Sequence, residues 1–86
     1  MIDIVFDKDN NAAFAYDNNI KIGECVFVEE NNTWNIVHTG VDNSYRGQGI
    51  AKKLVECIIN NAKENNKKLI AECSYAKKLL DRLNSN

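Results

Sequence analysis

The run Arg46-Gly47-Gln48-Gly49-Ile50-Ala51-Lys52-Lys53-Leu54 could do chemistry with its backbone alone. It follows a β-like segment and opens the most regular helical pattern in the chain. Glycines at such a junction let backbone N–H groups close in on a phosphate. The partial positive charge of a helix N-terminus favours the same ligand. The run therefore points to a phosphorylated ligand, with a plain strand-to-helix turn that needs glycine for its conformation as the alternative. A nucleotide P-loop requires GxxxxGK(S/T). Here Gly47 and Gly49 stand too close together and no Lys-Ser/Thr follows. The dinucleotide fingerprint GxGxxG fails too, because Lys52 occupies the place of the third glycine and the preceding strands read as antiparallel.

The other reactive side chains are thiols and one imidazole. Cys25, Cys57 and Cys73 are widely spaced and odd in number, with no CxxC pair. This is not a disulfide framework, and it fits a reducing, cytoplasmic setting. One histidine and no close thiol pair make a zinc site unexpected, so no metal is assigned. Cys73 falls between a short strand and a helix, where a thiol tends to be activated, and is a candidate nucleophile or proton relay. The alternative is a small buried hydrophobe, which is how Cys25 and Cys57 are read. His38 is the sole imidazole and lies on the strand expected to neighbour Cys73. A working Cys–His pair needs roughly 3–4 Å between sulfur and nitrogen, and the offset looks long enough to need a bridging water. Otherwise His38 orients Thr39 or the sheet through a hydrogen bond. Glu24 and Glu72 are possible bases, or simply solvated carboxylates.

These groups must be positioned by a small set of elements. Ile2–Asp7 and Ala12–Tyr16 read as strands, the second weakened by its alanines. Asp17-Asn18-Asn19 is turn chemistry. Ile20–Glu30 is a longer strand whose alternation slips near Gly23-Glu24, where a bulge is expected. After Asn31-Asn32, Thr33–Val41 is read as a strand with Trp34 and Ile36 on one side and Val37, Thr39 and Val41 on the other. These four strands form an antiparallel meander. A helix starting near Gly47 carries Ile50, Leu54 and Ile58 beside Ala51, Val55, Ile59 and Ala62, a wide apolar stripe that ends at Asn65-Asn66. Lys67–Cys73 is a short strand. A strand–helix–strand crossover places it parallel to Thr33–Val41. Ser74 is expected to cap a last helix bearing Ala76, Leu79, Leu80 and Leu83, with a frayed end at Asn84-Ser85-Asn86.

With 86 residues and a net charge of −1, the chain is read as one small domain spanning 1–86, with no global field to recruit nucleic acid or an anionic membrane. A hydrophobic content of 44% against 27% charged residues belongs to a soluble globular protein, and no apolar stretch is long enough to span a bilayer. The N-terminus has no secretory pattern. Asparagine is abundant and proline absent, and neither is assigned a role.

Arg46-Gly47-Gln48-Gly49-Ile50-Ala51 matches the pattern R/Q-x-x-G-x-G/A and resembles the GNAT superfamily of N-acetyltransferases. Together with His38-Thr39-Gly40-Val41 and Ala71-Glu72-Cys73-Ser74-Tyr75-Ala76, the run resembles a very small branch of that superfamily, over essentially the whole chain. The resemblance implies an α+β fold in minimal form: a mostly antiparallel sheet with one parallel strand pair and two helices. It implies acetyl-coenzyme A as ligand. The pyrophosphate would rest on the turn Arg46, Gly47, Gln48, Gly49, Ile50 and Ala51, with Lys52 and Ser74 as further contacts. The pantetheine arm would run along Thr39, Gly40 and Val41 like an added strand. Many members use a tyrosine on the last helix to protonate the departing thiolate, in a pattern like NxxAxxxY. Here Cys73 stands at the Asn position, Ala76 matches, and Leu80 replaces the tyrosine. In the small branch the cysteine is the suspected catalytic group, so the resemblance implies Cys73 as catalytic, with His38 as the candidate partner read from its place on the neighbouring strand. The helices that cover the acceptor in larger members, and their final strand pair, are not expected. The implied function is acetyl transfer to an amine of a small molecule or a protein, through an open slot. A non-catalytic coenzyme A-binding or interaction module is the alternative. Neither the acceptor nor the oligomeric state is specified.

Overall fold

The computed structural model describes residues 1–84; Ser85 and Asn86, part of the end expected to fray, lie outside them. Five strands and two helices follow in chain order: β1 (Ile2–Asp7), β2 (Ala12–Asp17), β3 (Ile20–Glu30), β4 (Thr33–Val41), α1 (Ile50–Glu64), β5 (Lys68–Ala71) and α2 (Ser74–Asn84). A single 3₁₀ turn, Asn43–Tyr45, bridges β4 and α1. The strands lie in sequence order in one sheet. The first four pair antiparallel, and β5 pairs parallel to β4 from Thr33↔Lys68 to Ile36↔Ala71. This is the α+β architecture expected, with its one parallel pair.

Much of the asparagine has a backbone reason. Asn11, Asn18, Asn31, Asn32 and Asn66 all adopt positive φ, a conformation that asparagine tolerates better than other non-glycine residues. Asn31 and Asn32, with φ of 52° and 65°, form the two-residue hairpin loop whose twist matches that of the strands it joins. Asn66 reverses the chain after α1 and sends Lys67 and Lys68 back to the sheet.

The core lies between one face of the sheet and the helices. Ile50, Leu54, Val55, Ile58 and Ala62 form the buried stripe of α1. Beneath it Ala13, Ala15 and Gly23 give a shallow floor; the alanines that weaken β2 as a strand leave room for the helix. Phe27 and Trp34 stack at 4.2 Å between ring centroids, and Phe6 stacks on Trp34 at 5.8 Å. Ala76 and Leu79 bring α2 into the same cluster. The opposite face leaves Val5, Val28 and Ile70 exposed.

Two bulges decide which side chains face the core. The first skips Ile22, since Ala15 faces Gly23 while Tyr16 faces Lys21; it falls just before the Gly23-Glu24 position expected. The second skips Val37, since Phe27 faces Ile36 while Val26 faces His38. An extra residue reverses the alternation beyond it. Thr39 and Val41 therefore share the core face with Trp34 and Ile36, opposite Cys25 and Gly23, and the expected separation of these residues onto two sides is corrected.

Candidate functional site

The parallel ladder ends where the second bulge begins. The N–H groups of Glu72 and Cys73 both reach the carbonyl of Ile36, at 2.9 and 3.1 Å. Beyond that point β5 has stopped, while β4 continues from Val37 to Val41 against β3 only. The two strands part, and a cleft of about 360 Å³ opens at their C-terminal ends. Its walls are Thr39, Gly40 and Val41 of β4, Tyr45 and Arg46 of the connecting turn, Gly47 and Gly49, Ile50 and Ala51 of α1, and Tyr75 of α2.

The turn into α1 is built for exposed amides. Gly47 and Gly49 have φ of 84° and 76°, while Gln48 between them does not take positive φ. Alternation of this kind turns successive N–H groups toward one side and makes an anion-binding concavity. Gly49, rather than Gly47, is the N-cap of α1, and no side chain caps the helix. The first intrahelical bond runs from the Lys53 N–H to the Gly49 carbonyl at 3.2 Å, so the N–H groups of Ile50, Ala51 and Lys52 have no helical acceptor. A Cβ on Gly47 or Gly49 would meet nothing within 4 Å. The space above these amides is open, and a diphosphate fits it by charge and by donor count.

The segment leading into this turn is pinned. Asp42 accepts from the Ser44 N–H at 2.9 Å, and its own N–H donates to the Ile22 carbonyl at 2.7 Å. Tyr45 donates its phenolic O–H to Asp17 of β2; this carboxylate partner, with partial burial, raises the phenol above its usual range. Tyr45 thus fixes the rim of the cleft while its ring lines it.

Cys73 lies at the base of α2. The expected cap, Ser74, is instead the first helical residue, and the N-cap is Cys73: its carbonyl accepts the first helical bond from the Lys77 N–H at 2.9 Å. Its sulfur takes the role that an N-cap oxygen usually plays. Partial burial pushes the thiol up, but hydrogen bonds from the Ala76 N–H, the Thr39 hydroxyl and the Tyr75 N–H outweigh this and hold it below its ordinary value. The Sγ of Cys73 is 3.5 Å from the Thr39 Oγ1, and the Sγ of Cys25 lies 3.5 Å from the same oxygen on its other side. Burial pushes the Cys25 thiol up to about 11.

The structure gathers Thr39, Gly40, Val41, Arg46, Gly47, Gly49, Ile50 and Ala51 around one cleft. Gln48, Lys52 and Ser74 are exposed beside it without lining it. Cys73 stands just behind the wall, in contact with Thr39. His38 is not brought to Cys73. It follows the bulge, faces away from Thr39, and places its Nε2 3.5 Å from Glu24 Oε2 on the far side of the sheet. A Cβ on Gly40 would point the same way, meeting His38 Nε2 at 3.1 Å. Gly40 also lines a second, shallower depression on that side, with Lys21, Ile22, Gly23, Glu24, His38 and Asp42. Sequence reasoning missed Tyr45 and Tyr75 as lining residues. Tyr75, the second residue of α2 after the Cys73 N-cap, stands in the cleft wall.

Comparison with known proteins follows the same lines. A family model described as GCN5-related N-acetyl-transferase matches residues 11–85. A GCN5-like protein from Staphylococcus aureus, solved by NMR, is 38% identical with a TM-score of 0.74, the match covering 96% of this chain and 81% of that one. A Bacillus anthracis protein of the streptothricin acetyltransferase type, crystallised with acetyl coenzyme A, is 33% identical with a TM-score of 0.58 over 65% of this chain and 32% of its own. The ribosomal-protein-alanine N-acetyltransferase of Brucella melitensis shares the fold at 24% identity and a TM-score of 0.67, over 84% of this chain and 61% of that one. The chain thus spans less than two thirds of the latter two proteins. No curated protein matches it.

Proposed function

The chain belongs to the GCN5-related N-acetyltransferase family, and from that premise we propose that it binds acetyl-coenzyme A and transfers the acetyl group to an amine. The observation that carries this reading is the run of N–H groups from Ile50 to Lys52 without a helical acceptor, opening α1 behind two positive-φ glycines at the mouth of the cleft. Arg46 on the rim and Lys52 on the first turn of α1 add positive charge for a diphosphate. The edge of β4 from Thr39 to Val41, free of β5, offers backbone groups to the two amides of a pantetheine arm. The acetyl crystal complex of the Bacillus anthracis relative supports the same ligand. The three free thiols suit a cytosolic setting.

When bound, acetyl-coenzyme A supplies an acyl group already activated as a thioester. In this reading the Cys73 thiolate attacks the acetyl carbon. A new S–C bond forms at Cys73, the bond to the coenzyme sulfur breaks, and that sulfur leaves with the electron pair and takes a proton from solvent. The N–H groups of Tyr75 and Ala76 and the Thr39 hydroxyl hold the attacking sulfur in its charged form. An amine then attacks the Cys73 acyl carbon, the N–C bond forms, and the Cys73 thiolate is regenerated as the amine loses a proton. The Glu24–His38 pair lies on the far side of the sheet from Cys73 and takes no part in this step.

Intact-mass measurement after incubation with acetyl-coenzyme A tests the reading. One acetyl adduct is expected, absent in Cys73→Ser and discharged by a competent amine; polyamines, amino acids and peptides are the panel for thiol release. Coenzyme A-dependent thermal stabilisation with neither adduct nor release would favour a binding module. Leu80 in place of the tyrosine of the resembling pattern is the feature that supports this second reading.

A further inference from the structure

Two thiols share one hydroxyl. Cys25 on β3 and Cys73 at the N-cap of α2 each lie 3.5 Å from the Thr39 oxygen, on opposite sides of β4. A hydroxyl has one hydrogen to give and room to accept. While Cys73 is a thiol, its S–H donates to Thr39. When Cys73 ionises it can only accept, so the Thr39 O–H must turn toward it. The Thr39 oxygen then needs a donor on its other side, and the S–H of the fully buried Cys25 stands there. We propose that Cys25 is a positioning residue for Cys73, its buried S–H holding the Thr39 hydroxyl in the orientation that donates to the ionised Cys73 sulfur. This extends the reading of Cys73 as the acyl-accepting group, but the arrangement acts on the thiolate itself, before any acyl donor arrives.

Burial gives Cys25 the constancy the role requires. Burial pushes the Cys25 thiol up while hydrogen bonds draw Cys73 down, so Cys25 is the later of the two to give up its proton. The groups facing the pair from each packed element are few. β3 brings Cys25, whose neighbours Glu24 and Val26 face the far side of the sheet with His38 of β4. α1 brings Cys57, which acts on Cys25 only as a weak like charge. α2 brings the amides of Tyr75 and Ala76, and Arg46 and the Tyr75 ring stand across the cleft. Burial and, more weakly, the like charges of Cys73 and Cys57 push Cys25 up, hydrogen bonds draw Cys73 down, and no Asp, Glu, Lys, Arg or His side chain shifts either thiol. The chain Cys25–Thr39–Cys73 links β3, β4 and the N-cap of α2, and its two bonds reinforce each other as donors in series.

The test is the pH dependence of iodoacetamide alkylation at Cys73, followed residue by residue by peptide mass, on the whole protein without acetyl-coenzyme A. Thr39→Val should move the midpoint upward and slow alkylation at pH 7 by about tenfold, the effect of one lost hydrogen bond to an ionised group. Cys25→Ala should move it in the same direction by about twofold. Cys25→Ser and Thr39→Ser, which keep a donor in each place, should stay near the wild-type profile, and Cys57→Ala should not change it. A Cys25→Ala profile that superimposes on wild type, in a protein with retained cooperative unfolding, overturns the proposal. Displacement by Cys25→Ser as large as by Cys25→Ala overturns it too, because packing alone would then explain the effect. A shifted profile with no acetyl adduct leaves this inference standing and removes the acyl-accepting role of Cys73. An adduct with unshifted profiles does the reverse.

Discussion

At the scale of single residues, the three thiols of this chain differ through their surroundings alone. Cys73 is drawn below its ordinary value by donors, whereas Cys25 and Cys57 are pushed up by burial. The consequence for Cys25 is a stability that depends on alkaline pH. Unfolded, its thiol ionises near the ordinary value of 9.0; folded, it holds its proton to about 11. The folded state therefore binds the extra proton between these limits. The contribution is fully present below pH 9.0 and is lost as pH rises toward 11. Two pH units correspond to roughly 2–3 kcal/mol. Urea unfolding of wild type and Cys25→Ser at pH 7 and pH 10.5 should show the wild type losing more of its stability than the variant. Parallel losses would mean that Cys25 ionises in the fold as freely as outside it.

Elements translate these residues into a site through two devices, the αL turn before α1 and the bulge at Val37. Gly49 holds φ of 76° with open space where a side chain would stand. Gly49→Glu should therefore fold, at a cost of about 1–2 kcal/mol for the left-handed conformation, while placing a carboxylate over the amides of Ile50 and Ala51. Coenzyme A at a hundredfold excess over its Kd should stabilise the wild type by roughly 2.7 kcal/mol. The variant should gain almost nothing in the same thermal scan, and an equal gain would put the diphosphate elsewhere. The turn was legible in the sequence because glycine at two fixed places is a strong conformational mark. So were the strands and α1, whose periods of two and 3.6 are carried by large apolar side chains. The bulge at Val37 was not legible: Val37-His38 continues a strand-like pattern, and no residue type announces which position will lack a partner. That single extra residue moved Thr39 onto the core face beside Cys25 and turned His38 away from Cys73. The cap of α2 failed for a related reason. Ser74 is the better capping residue by type, yet the ladder bonds of Glu72 and Cys73 to Ile36 hold the chain so that the helix begins one residue earlier, on sulfur.

For the molecule as a whole, one sheet face and the two helices packed on it must supply both the core and the walls of the cleft, because a domain of this size has little surplus stability. The contact where the two duties meet is Gly23 under Leu54. A Cβ at Gly23 would lie 3.2 Å from Leu54 Cδ1, 3.2 Å from the Gly40 carbonyl oxygen and 3.4 Å from Val41 Cγ2. Gly40 and Val41 line the cleft, so a group inserted here strains the core and shifts the strand edge proposed to hold the pantetheine arm. Gly23→Ala should cost about 1–3 kcal/mol by overpacking, and coenzyme A affinity should fall with it. Leu54→Ala should cost about 2–5 kcal/mol as a core truncation. The double variant makes room for the new methyl on the helix side while the Gly40 carbonyl still crowds it. Its loss should therefore be smaller than the sum of the two by about 1 kcal/mol, with the affinity defect only partly repaired. Denaturant unfolding of the four proteins closes this cycle. Strict additivity would show that α1 can lift from β3 without cost, and the cleft would then be independent of the core beneath it.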